Sequence, residues 1–560
     1  MSERLQPLEE LQFRGRRPRR LAFGTSGLRG LVSDISDLEA YINTRGFIDY
    51  LLQSRRSVRG ARVALGGDLR ASSGRILEAV ARALRDAGMR PEYHGRLPTP
   101  ALSSYAIDAG IASIMVTGSH IPFDRNGIKF NRPDGEVLKS DEAPILRAVA
   151  RVRAAEYARD PARSPFDDLG ALRDAGAALP APVEAAAQHY RRRYLQAFPP
   201  QALAGLRLGF FAHSAVGRDL LPALLSELGA EVHVFGRSEN FVAIDTEALS
   251  PQTLAALQEQ ATALAATAGP LDAVVSTDGD SDRPMLLGVG DGGELRFFSG
   301  DLLGLVVAQY LDADAVCVPV SASDAIDRQL EPHGIAVTRT RIGSPWVIAA
   351  MAGSAGERRV GWEANGGFLT GTAIDTGSGV LAALPTRDAV LPLVAALHAA
   401  RRAGRSLPEL FAALPPRFTR AGLLDGVDPA DSRRLLARFG PGEGLRLLHF
   451  GADGVRAVNA AGLPVELDAP SAVRLREAGA ALERLFAAAG CGGGLQRLDA
   501  LDGLRLHFGN GDIAHVRPSG NAPQLRIYAV ADSAERAQSL VAAALAEPHG
   551  VLRRLLAAAR

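Results

Sequence analysis

Lysine is almost absent from this sequence, although basic residues are common. Among the 63 Lys and Arg residues, only Lys129 and Lys139 are lysine, and all the others are arginine. Arg does not release its proton in a protein, whereas Lys can do so when its pKa is lowered. A lysine in such a sequence therefore indicates either a role in proton transfer or a surface residue that has not been replaced by arginine. The composition alone does not decide between these two interpretations.

Cysteine, net charge and long apolar runs are also scarce. The two cysteines, Cys317 and Cys491, form no CxxC pair, which argues against a zinc site and for a reducing compartment. A net charge of +1 gives no electrostatic reason for binding nucleic acid or a membrane. No apolar run is long enough to span a bilayer, and the N-terminus has no apolar signal core. We therefore expect a cytoplasmic protein, with the basic residues 14–20 as a solvated arm.

The chain of 560 residues is too long for one hydrophobic core and predicts about three to four domains. Apolar strands such as Arg62–Leu65 and Ile111–Val116 alternate with Gly- or Ser-rich loops and Ala/Leu/Arg-rich helices. This alternation predicts α/β units with mostly parallel sheets. Near the C-terminus, Leu504–Phe508 and Ile513–Val516 indicate neighbouring strands of an antiparallel α+β unit. The expected domains are residues 1–182, 183–296, 297–415 and 416–560.

The strongest metal signal is the acidic loop Asp278–Arg283, with the sequence DGDSDR, directly after an apolar strand. Carboxylates at alternate positions can converge on one cation, and oxygen-only ligands favour Mg²⁺ or a similar hard ion. An EF-hand would need Gly and Glu where Arg283 and Val289 stand, so that alternative is excluded. A haloacid-dehalogenase phosphatase, with Asp278 as nucleophile, stays open as a weaker alternative.

Four other loops carry polar groups. Ser119 lies beside His120, and Lys129 follows ten residues later. The segment Arg517–Arg526 (RPSGNAPQLR) can cradle a phosphate dianion or form an ordinary hairpin. In Gly361–Gly367 (GWEANGG), a carboxylate and an amide on one side of an extended loop suit two sugar hydroxyls, although a turn is an equal alternative. Phe23–Gly30 is Gly-rich but lacks the Lys of a P-loop, so a nucleotide site is not supported.

The order of these five motifs along nearly the whole chain resembles the α-D-phosphohexomutase superfamily, which includes phosphomannomutase/phosphoglucomutase and phosphoglucosamine mutase. The resemblance implies four domains around a central cleft, namely three similar mixed α/β domains and a C-terminal TATA-binding-protein-like α+β domain. It implies catalytic roles for Ser119, as phosphoserine, and for Lys129, Arg29, His120 and Arg283. Lys129 and Arg29 are the expected proton-transfer pair, and the pKa argument favours Lys129 as the base. The implied metal ligands are Asp278, Asp280, Asp282 and the phosphate of Ser119, and the implied substrate-binding residues are Glu363, Asn365, Ser344, Arg517, Ser519, Gly520, Asn521 and Arg526.

The implied function is reversible interconversion of hexose 6-phosphate and hexose 1-phosphate, with mannose favoured. The expected cofactors are Mg²⁺ and a hexose 1,6-bisphosphate activator, the partner is a small phosphosugar, and the protein is a monomer or homodimer. Phosphoglucomutase or phosphoglucosamine mutase activity is the main alternative, followed by a sugar phosphatase and a non-catalytic sugar-phosphate sensor.

Three positions depart from the family pattern. Relatives often have Ala and Asn where this chain has Gly118 and Ile121, and we expect an altered loop conformation there with the chemistry retained. Some relatives carry a substrate-binding His where Ser344 stands, which leaves the hexose specificity open.

Overall fold

The computed structural model describes residues 21–23, 27–173, 178–247, 249–519 and 523–560. The basic arm at residues 14–20 lies outside these ranges. The chain packs as two compact units. The first unit comprises the residues up to Val316 together with Gly343–Phe411, and the second comprises Cys317–Ile342 and Ala412–Arg560. In the described part of the chain, no helix combines the length and apolarity needed to cross a bilayer.

The first sheet of the first unit is mixed. Its strands are β1 Ala22–Phe23, β2 Leu28–Leu31, β3 Arg62–Gly67, β4 Arg90–Arg96, β5 Ala112–Val116, β6 Arg125–Arg132 and β7 Gly135–Glu136. Its helices are α1 Asp37–Gln53, α2 Ser73–Asp86, α3 Thr99–Asp108 and α4 Lys139–Tyr157. The strand order is β1-β2-β6-β5-β3-β4, with β7 paired to β6. β3 is parallel to β4 and β5, whereas β6 is antiparallel to β5.

Helix α2 shows how the sequence builds this layer. Ile76, Val80, Ala83 and Leu84 recur at helical spacing, and all four are buried in the core. The core on which they pack includes β5, whose residues are all buried. A helix with one apolar face on a fully buried strand is the expected α/β arrangement.

The second sheet is also mixed. Its strands are β8 Arg207–His213, β9 Glu231–Arg237, β10 Ala273–Thr277, β11 Pro284–Val289 and β12 Leu295–Phe297, in the order β12-β11-β10-β8-β9. Its helices are α5 Ala185–Ala197, α6 Leu220–Glu227 and α7 Pro251–Ala268. β8 is parallel to β9 and β10, and β11 is antiparallel to β10.

The next stretch contains shorter strands. They are β13 Ala315–Pro319, β14 Ala336–Thr340, β15 Arg359–Trp362, β16 Phe368–Thr370, β17 Ile374–Asp375, β18 Val380–Leu381 and β19 Leu384–Asp388. The helices are α8 Gly300–Tyr310, α9 Ala325–Leu330, α10 Ser344–Gly353, α11 Val390–Ala403 and α12 Leu407–Ala412. Within the first unit, β16 pairs antiparallel with both β15 and β19.

An antiparallel sheet dominates the second unit. Its strands are β20 Phe418–Asp425, β21 Leu445–Gly451, β22 Gly454–Asn459, β23 Pro464–Val465, β24 Leu495–Asp499, β25 Leu504–Phe508, β26 Ile513–Pro518 and β27 Gln524–Ala531. The helices are α13 Pro429–Phe439, α14 Ala469–Ala487, α15 Ala534–Leu545 and α16 Val551–Ala558. The order β20-β27-β26-β25-β24-β21-β22-β23 is antiparallel throughout.

The α/β fold class is confirmed, but the expectation of mostly parallel sheets is wrong. The acidic loop joins β10 to β11, and the Ser119 loop joins β5 to β6. A short connection between adjacent strands makes them antiparallel, because a parallel pair needs a long crossover. The motif loops of the first unit are therefore hairpin connections at the antiparallel side of each sheet. The four domain boundaries given above stay a prediction.

Candidate active site

Ser119 is held in an unusual backbone conformation at the start of the β5–β6 loop. Its φ is 52°, in the left-handed region that non-glycine residues seldom adopt. Its N–H donates to Thr117 Oγ1 at 2.8 Å, and Thr117 Oγ1 donates to Asp68 Oδ2 at 2.8 Å. The side chain is buried, and Ser119 Oγ donates to Asp278 Oδ2 at 2.5 Å. The structure thus brings the predicted nucleophile directly to the acidic loop.

Gly279 permits this close approach between the two loops. A Cβ at residue 279 would lie 2.6 Å from the carbonyl oxygen of Ser119 and 2.9 Å from the ring of Phe241. Neither distance is tolerated by a real side chain, so the glycine between Asp278 and Asp280 is required by packing. Phe241 also stacks on the guanidinium of Arg70, with the Arg70 Cζ atom 3.7 Å from the ring centroid.

The three aspartates of the acidic loop converge as predicted. One carboxylate oxygen from each of Asp278, Asp280 and Asp282 lies within 4.8 Å of the others, and all three side chains are buried. Asp280 Oδ1 and Asp282 Oδ1 have no hydrogen-bond partner among the described residues. Buried carboxylate oxygens without a partner are costly unless a cation binds them. An all-oxygen donor set of this kind fits a hard divalent cation such as Mg²⁺.

The electrostatics of the triad are uneven. Burial, followed by repulsion from Asp280 and Asp282, raises the pKa of Asp278 well above its usual value. Burial and Asp282 also act to raise the pKa of Asp280, but Lys129 outweighs them and lowers it. Burial is likewise outweighed at Asp282, where Arg387, Lys129 and Arg283 hold the pKa well below its usual value. The acid beside Ser119 is thus the one that retains a proton most readily.

Lys129 is part of the site, but not with the expected pKa. Its Nζ donates to Asp280 Oδ2 at 2.6 Å and to Asp282 Oδ2 at 2.8 Å. Burial would lower the pKa of Lys129, yet the two carboxylates outweigh burial and raise it. The pKa argument that favoured Lys129 as the base is therefore wrong for this state of the protein, because it ignored the acidic partners.

The other predicted basic groups surround Ser119. Arg29 lies on β2, opposite Gly127 of β6, and burial together with Arg283 and Arg387 lowers its pKa to about 10. Arg283 Nε is 3.7 Å from Asp282 Oδ1 and 3.9 Å from Asp278 Oδ2. His120 Nδ1 lies 3.3 Å from Ser119 Oγ, and Arg283, burial and Arg29 lower the pKa of His120 to about 2. His120 is therefore neutral at physiological pH.

The sugar-loop candidates lie in the β15–β16 connection. Gly366 N donates to Glu363 O at 2.8 Å, so residues 363–366 form a β-turn, which agrees with the turn alternative and not with the extended loop. Asn365 Oδ1 accepts a hydrogen bond from Gly367 N at 3.0 Å, so the side-chain amide oxygen is used within the turn. Ser344, at the start of α10, is fully buried, and its Oγ donates to Glu136 Oε2 at 2.7 Å.

Arg387, at the end of β19, is the residue that sequence reasoning missed. Its Nε and Nη2 donate to Asp282 Oδ2 at 3.1 and 2.9 Å, and its Nη1 donates to Glu363 Oε2 at 3.1 Å. It therefore joins the acidic loop to the sugar-loop candidate. The available signal was the Thr-Arg-Asp segment at residues 386–388, inside the otherwise apolar run from Leu384 to Val394.

The phosphate-loop candidates belong to the second unit. Arg517 is the residue before the end of β26 and lies opposite Arg526 of β27, and its Nε donates to Asp502 Oδ1 at 2.9 Å. Ser519 N donates to Gln524 O at 2.8 Å, which narrows the hairpin. Gly520 and Asn521 lie outside the described residues.

Comparison with known proteins places the chain in a family. Residues 20–156, 299–418 and 471–547 match phosphoglucomutase/phosphomannomutase alpha/beta/alpha domain I, alpha/beta/alpha domain III and the C-terminal domain. A phosphomannomutase of Sinorhizobium fredii is 39% identical over 528 residues, which cover 94% of this chain and 98% of that protein. The chain belongs to the phosphoglucomutase/phosphomannomutase family. The predicted resemblance to α-D-phosphohexomutases is confirmed, and with it the prediction of a phosphohexomutase enzyme.

Two solved structures share the fold. One is a phosphoglucomutase/phosphomannomutase family protein from Burkholderia thailandensis, with a TM-score of 0.63, 18% identity and coverage of 96% of this chain and 97% of that one. The other is N-acetylphosphoglucosamine mutase from Aspergillus fumigatus in complex with GlcNAc-6P and magnesium, with a TM-score of 0.53, 13% identity and coverage of 96% of each chain.

Proposed function

We propose that this protein interconverts mannose 6-phosphate and mannose 1-phosphate through a phosphorylated Ser119. The observation that carries the proposal is the 2.5 Å hydrogen bond from Ser119 Oγ to Asp278 Oδ2, which sets the serine oxygen beside three carboxylates that could hold a cation. The 39% identical relative from Sinorhizobium fredii is named as a phosphomannomutase, which favours mannose over other hexoses.

In the proposed reaction, the bond between Ser119 Oγ and phosphorus breaks while the free hydroxyl oxygen of the sugar bonds to the same phosphorus. The hydroxyl proton is accepted by the member of the basic pair that is in its neutral form; the pKa of Lys129 is raised, whereas that of Arg29 is lowered to about 10, so neutral Arg29 is the proposed acceptor. The product is a hexose 1,6-bisphosphate, and after it turns over, its other phosphate returns to Ser119. Arg283 lies beside the triad, where it can stabilise charge on the transferring group.

Asp278, Asp280 and Asp282 would hold Mg²⁺ together with an oxygen of the Ser119 phosphate. When bound, the ion supplies positive charge that offsets repulsion between the carboxylates and the phosphoryl oxygens. The chain's own groups do the rest: the loops orient Ser119, and Arg283 and Arg387 neutralise Asp282. Arg517, Ser519 and Arg526 are proposed to hold the non-reacting phosphate, with Glu363 and Asn365 near the sugar ring.

The proposal is tested by ³¹P NMR with mannose, glucose and N-acetylglucosamine phosphates, ranked by kcat/KM. We expect mannose phosphates to rank first, with activity lost in EDTA, restored by Mg²⁺ and stimulated by a hexose 1,6-bisphosphate. Transfer of ³²P from labelled bisphosphate to the protein is expected in the wild type and in Ser140→Ala, an exposed serine of α4, but not in Ser119→Ala.

Three other results would each point elsewhere. Full activity of Ser119→Ala would contradict the phosphoserine route. Net phosphate release with label on Asp278 would indicate a phosphatase of the haloacid-dehalogenase kind. Tight binding of all three sugars without turnover would indicate a sensor.

A further inference from the structure

Arg387 joins the acidic loop to the sugar loop, and the proposed reaction uses only its charge, which neutralises Asp282. Its side chain is 4% exposed. One edge of the guanidinium faces Asp282, and Nη1 donates both to Glu363 Oε2 at 3.1 Å and to Ser344 Oγ at 3.0 Å. A single buried cation therefore binds a triad carboxylate and the only carboxylate of the GWEANGG loop.

The neighbours of Arg387 along β19 are fixed on both sides. Thr386 Oγ1 donates to Glu136 Oε1 at 2.7 Å, and the other oxygen of Glu136 accepts from Ser344 Oγ. Asp388 Oδ1 accepts from the Tyr190 hydroxyl at 2.5 Å, and Asp388 Oδ2 accepts from the Tyr194 hydroxyl. Charged and hydroxyl groups that hold one another in this way leave the guanidinium little freedom.

The chemistry of the junction requires arginine. A guanidinium presents five N–H donors in a rigid plane and can bond two carboxylates at once in fixed directions. An ammonium at the same place would be a point charge and could not span Asp282 and Glu363 with the same geometry. Ser344 contributes only through this network, since it is fully buried and its hydroxyl bonds Glu136 and Arg387.

We propose that Arg387 is a specificity-determining positioning residue. It fixes the position of the Glu363 carboxylate relative to Asp282, so that Glu363 binds the sugar hydroxyls at a set distance from the three aspartates. The inference rests on the proposed mutase function. It concerns how the sugar is recognised, because Arg387 acts through Glu363.

The decisive variant is Arg387→Lys, which keeps the buried positive charge and removes the planar set of N–H donors that bonds Asp282 and Glu363 together. We expect KM for the hexose phosphate to rise about tenfold with a smaller fall in kcat, as for loss of a charge-assisted hydrogen bond. We also expect a change in the ratio of kcat/KM for the substrate to kcat/KM for deoxy analogues that each lack one ring hydroxyl. For at least one analogue this ratio should fall about tenfold, because a fixed polar group disfavours an analogue that leaves it without a hydrogen-bond partner. Ser344→Ala should act in the same direction with a smaller effect.

The matched control is Arg193→Lys. Arg193 is also buried in the first unit, where its Nη1 donates to the backbone oxygen of Ala382 at 2.6 Å and its Nη2 donates to Thr370 Oγ1 at 3.5 Å. It should leave the discrimination ratio unchanged even where it lowers Tm. Because the ratio is measured by competition between two substrates in one tube, it does not depend on how much of a variant is folded.

A double-mutant cycle with Glu363→Gln tests whether Arg387 acts through Glu363 or independently of it. If Arg387 acts through Glu363, the double variant should be no worse in KM than Glu363→Gln alone. Additive effects, or an unchanged ratio in Arg387→Lys and Ser344→Ala, would overturn this inference while wild-type mutase activity stands. Absence of mutase activity in the wild type would instead remove the proposed function.

Discussion

Gly118 lies so close to Arg70 that a Cβ at residue 118 would be 2.5 Å from the Cζ and Nε atoms of the Arg70 guanidinium. The Arg70 guanidinium lies against the Ser119 loop and holds it by hydrogen bonds to its carbonyl oxygens, an arrangement called the Arg70 clamp below. Arg70 Nη2 donates to the carbonyl oxygens of Ser119 and Ile121 at 3.0 and 2.5 Å, and Nη1 donates to that of Pro122 at 2.7 Å. The departure at Gly118 is thus coupled to how the loop is held, whereas residue 121 contributes its backbone carbonyl.

Gly118→Ala is expected to lower kcat by about tenfold with little change in KM. The added methyl must displace the Arg70 guanidinium, and overpacking of a buried site costs about 1–3 kcal/mol. The carbonyls that Arg70 holds would then shift, and Ser119 Oγ would move relative to Asp278. Steady-state kinetics in the mannose 6-phosphate direction measure both constants.

Gly74→Ala is the matched control for that variant. Gly74 lies in α2, and a Cβ there would meet no atom within 4 Å. Kinetic constants should be those of the wild type, since alanine is well tolerated in a helix. Equal kcat in Gly118→Ala and Gly74→Ala would show that the Arg70 clamp does not position the nucleophile.

Much of the fold followed from the sequence because its signals are local. Leu504–Phe508 forms β25 with the predicted limits, and the predicted strands Arg62–Leu65 and Ile111–Val116 largely coincide with β3 and β5. The antiparallel pairing of β25 with β26 was also predicted correctly, whereas the direction of pairing in the first unit was not, because a loop of Gly, Ser and Asp is equally typical before a helix and in a hairpin. The β10–β11 pairing is antiparallel for the reason that its loop is short.

In the site, too, the residues with a local sequence signal were predicted and those that depend on long-range contacts were not. Asp278, Asp280 and Asp282 were found because their alternation is visible in one short segment. Arg387 was missed because its partner Asp282 is 105 residues away in the chain, and nothing near Arg387 suggests that contact. The pKa of Lys129 was misjudged for the same reason, since Asp280 and Asp282 reverse the effect of burial only once the chain has folded.

Lys129→Met is expected to destabilise the protein more in the absence of Mg²⁺ than in its presence. The ammonium is bonded to two buried carboxylates, and removing one partner of a buried ion pair costs about 3–5 kcal/mol. A bound divalent cation would replace part of the lost positive charge. Thermal unfolding in EDTA and in excess Mg²⁺ should therefore show the larger fall in Tm in EDTA.

Lys139→Met provides the comparison, since Lys139 is the other lysine of the chain. It bonds Glu142 at 3.0 Å within α4, where the side chains are about one-third exposed, and such pairs contribute little. We expect a Tm near that of the wild type in both solutions. A fall in Tm for Lys129→Met that is the same with and without Mg²⁺ would separate Lys129 from the cation site.

Arg517→Ala is expected to raise KM for both hexose phosphates about tenfold or more while kcat changes less. Charge-assisted hydrogen bonds to a phosphate contribute about 1.5–3 kcal/mol, and the non-reacting phosphate is bound in ground state and transition state alike. Asp502 orients the guanidinium through the 2.9 Å bond to Arg517 Nε. Arg420→Ala, an exposed arginine of β20, is the control, and unchanged KM values in Arg517→Ala would remove this loop from phosphate binding.

His515 makes the second unit sensitive to acid. Its ring is buried, Nε2 donates to Asp502 O at 2.6 Å, and Nδ1 has no hydrogen-bond partner within the described ranges. Burial lowers the pKa of His515 to about 4. Between about pH 6.5 and pH 4 the unfolded chain then binds one more proton than the folded one, so acidification through this window lowers the unfolding free energy by up to ~3 kcal/mol.

His515→Gln keeps a donor for Asp502 O and removes the titrating group. Amide hydrogen exchange in β25 and β26, corrected for intrinsic rates, should lose protection as the wild type is taken from pH 7 to pH 5. The loss should be smaller in His515→Gln and unchanged in His549→Gln, which replaces an exposed histidine near α16. If His515→Gln and the wild type lose protection in parallel, the acid sensitivity comes from other groups, because only a proton excluded from the folded state can produce this slope.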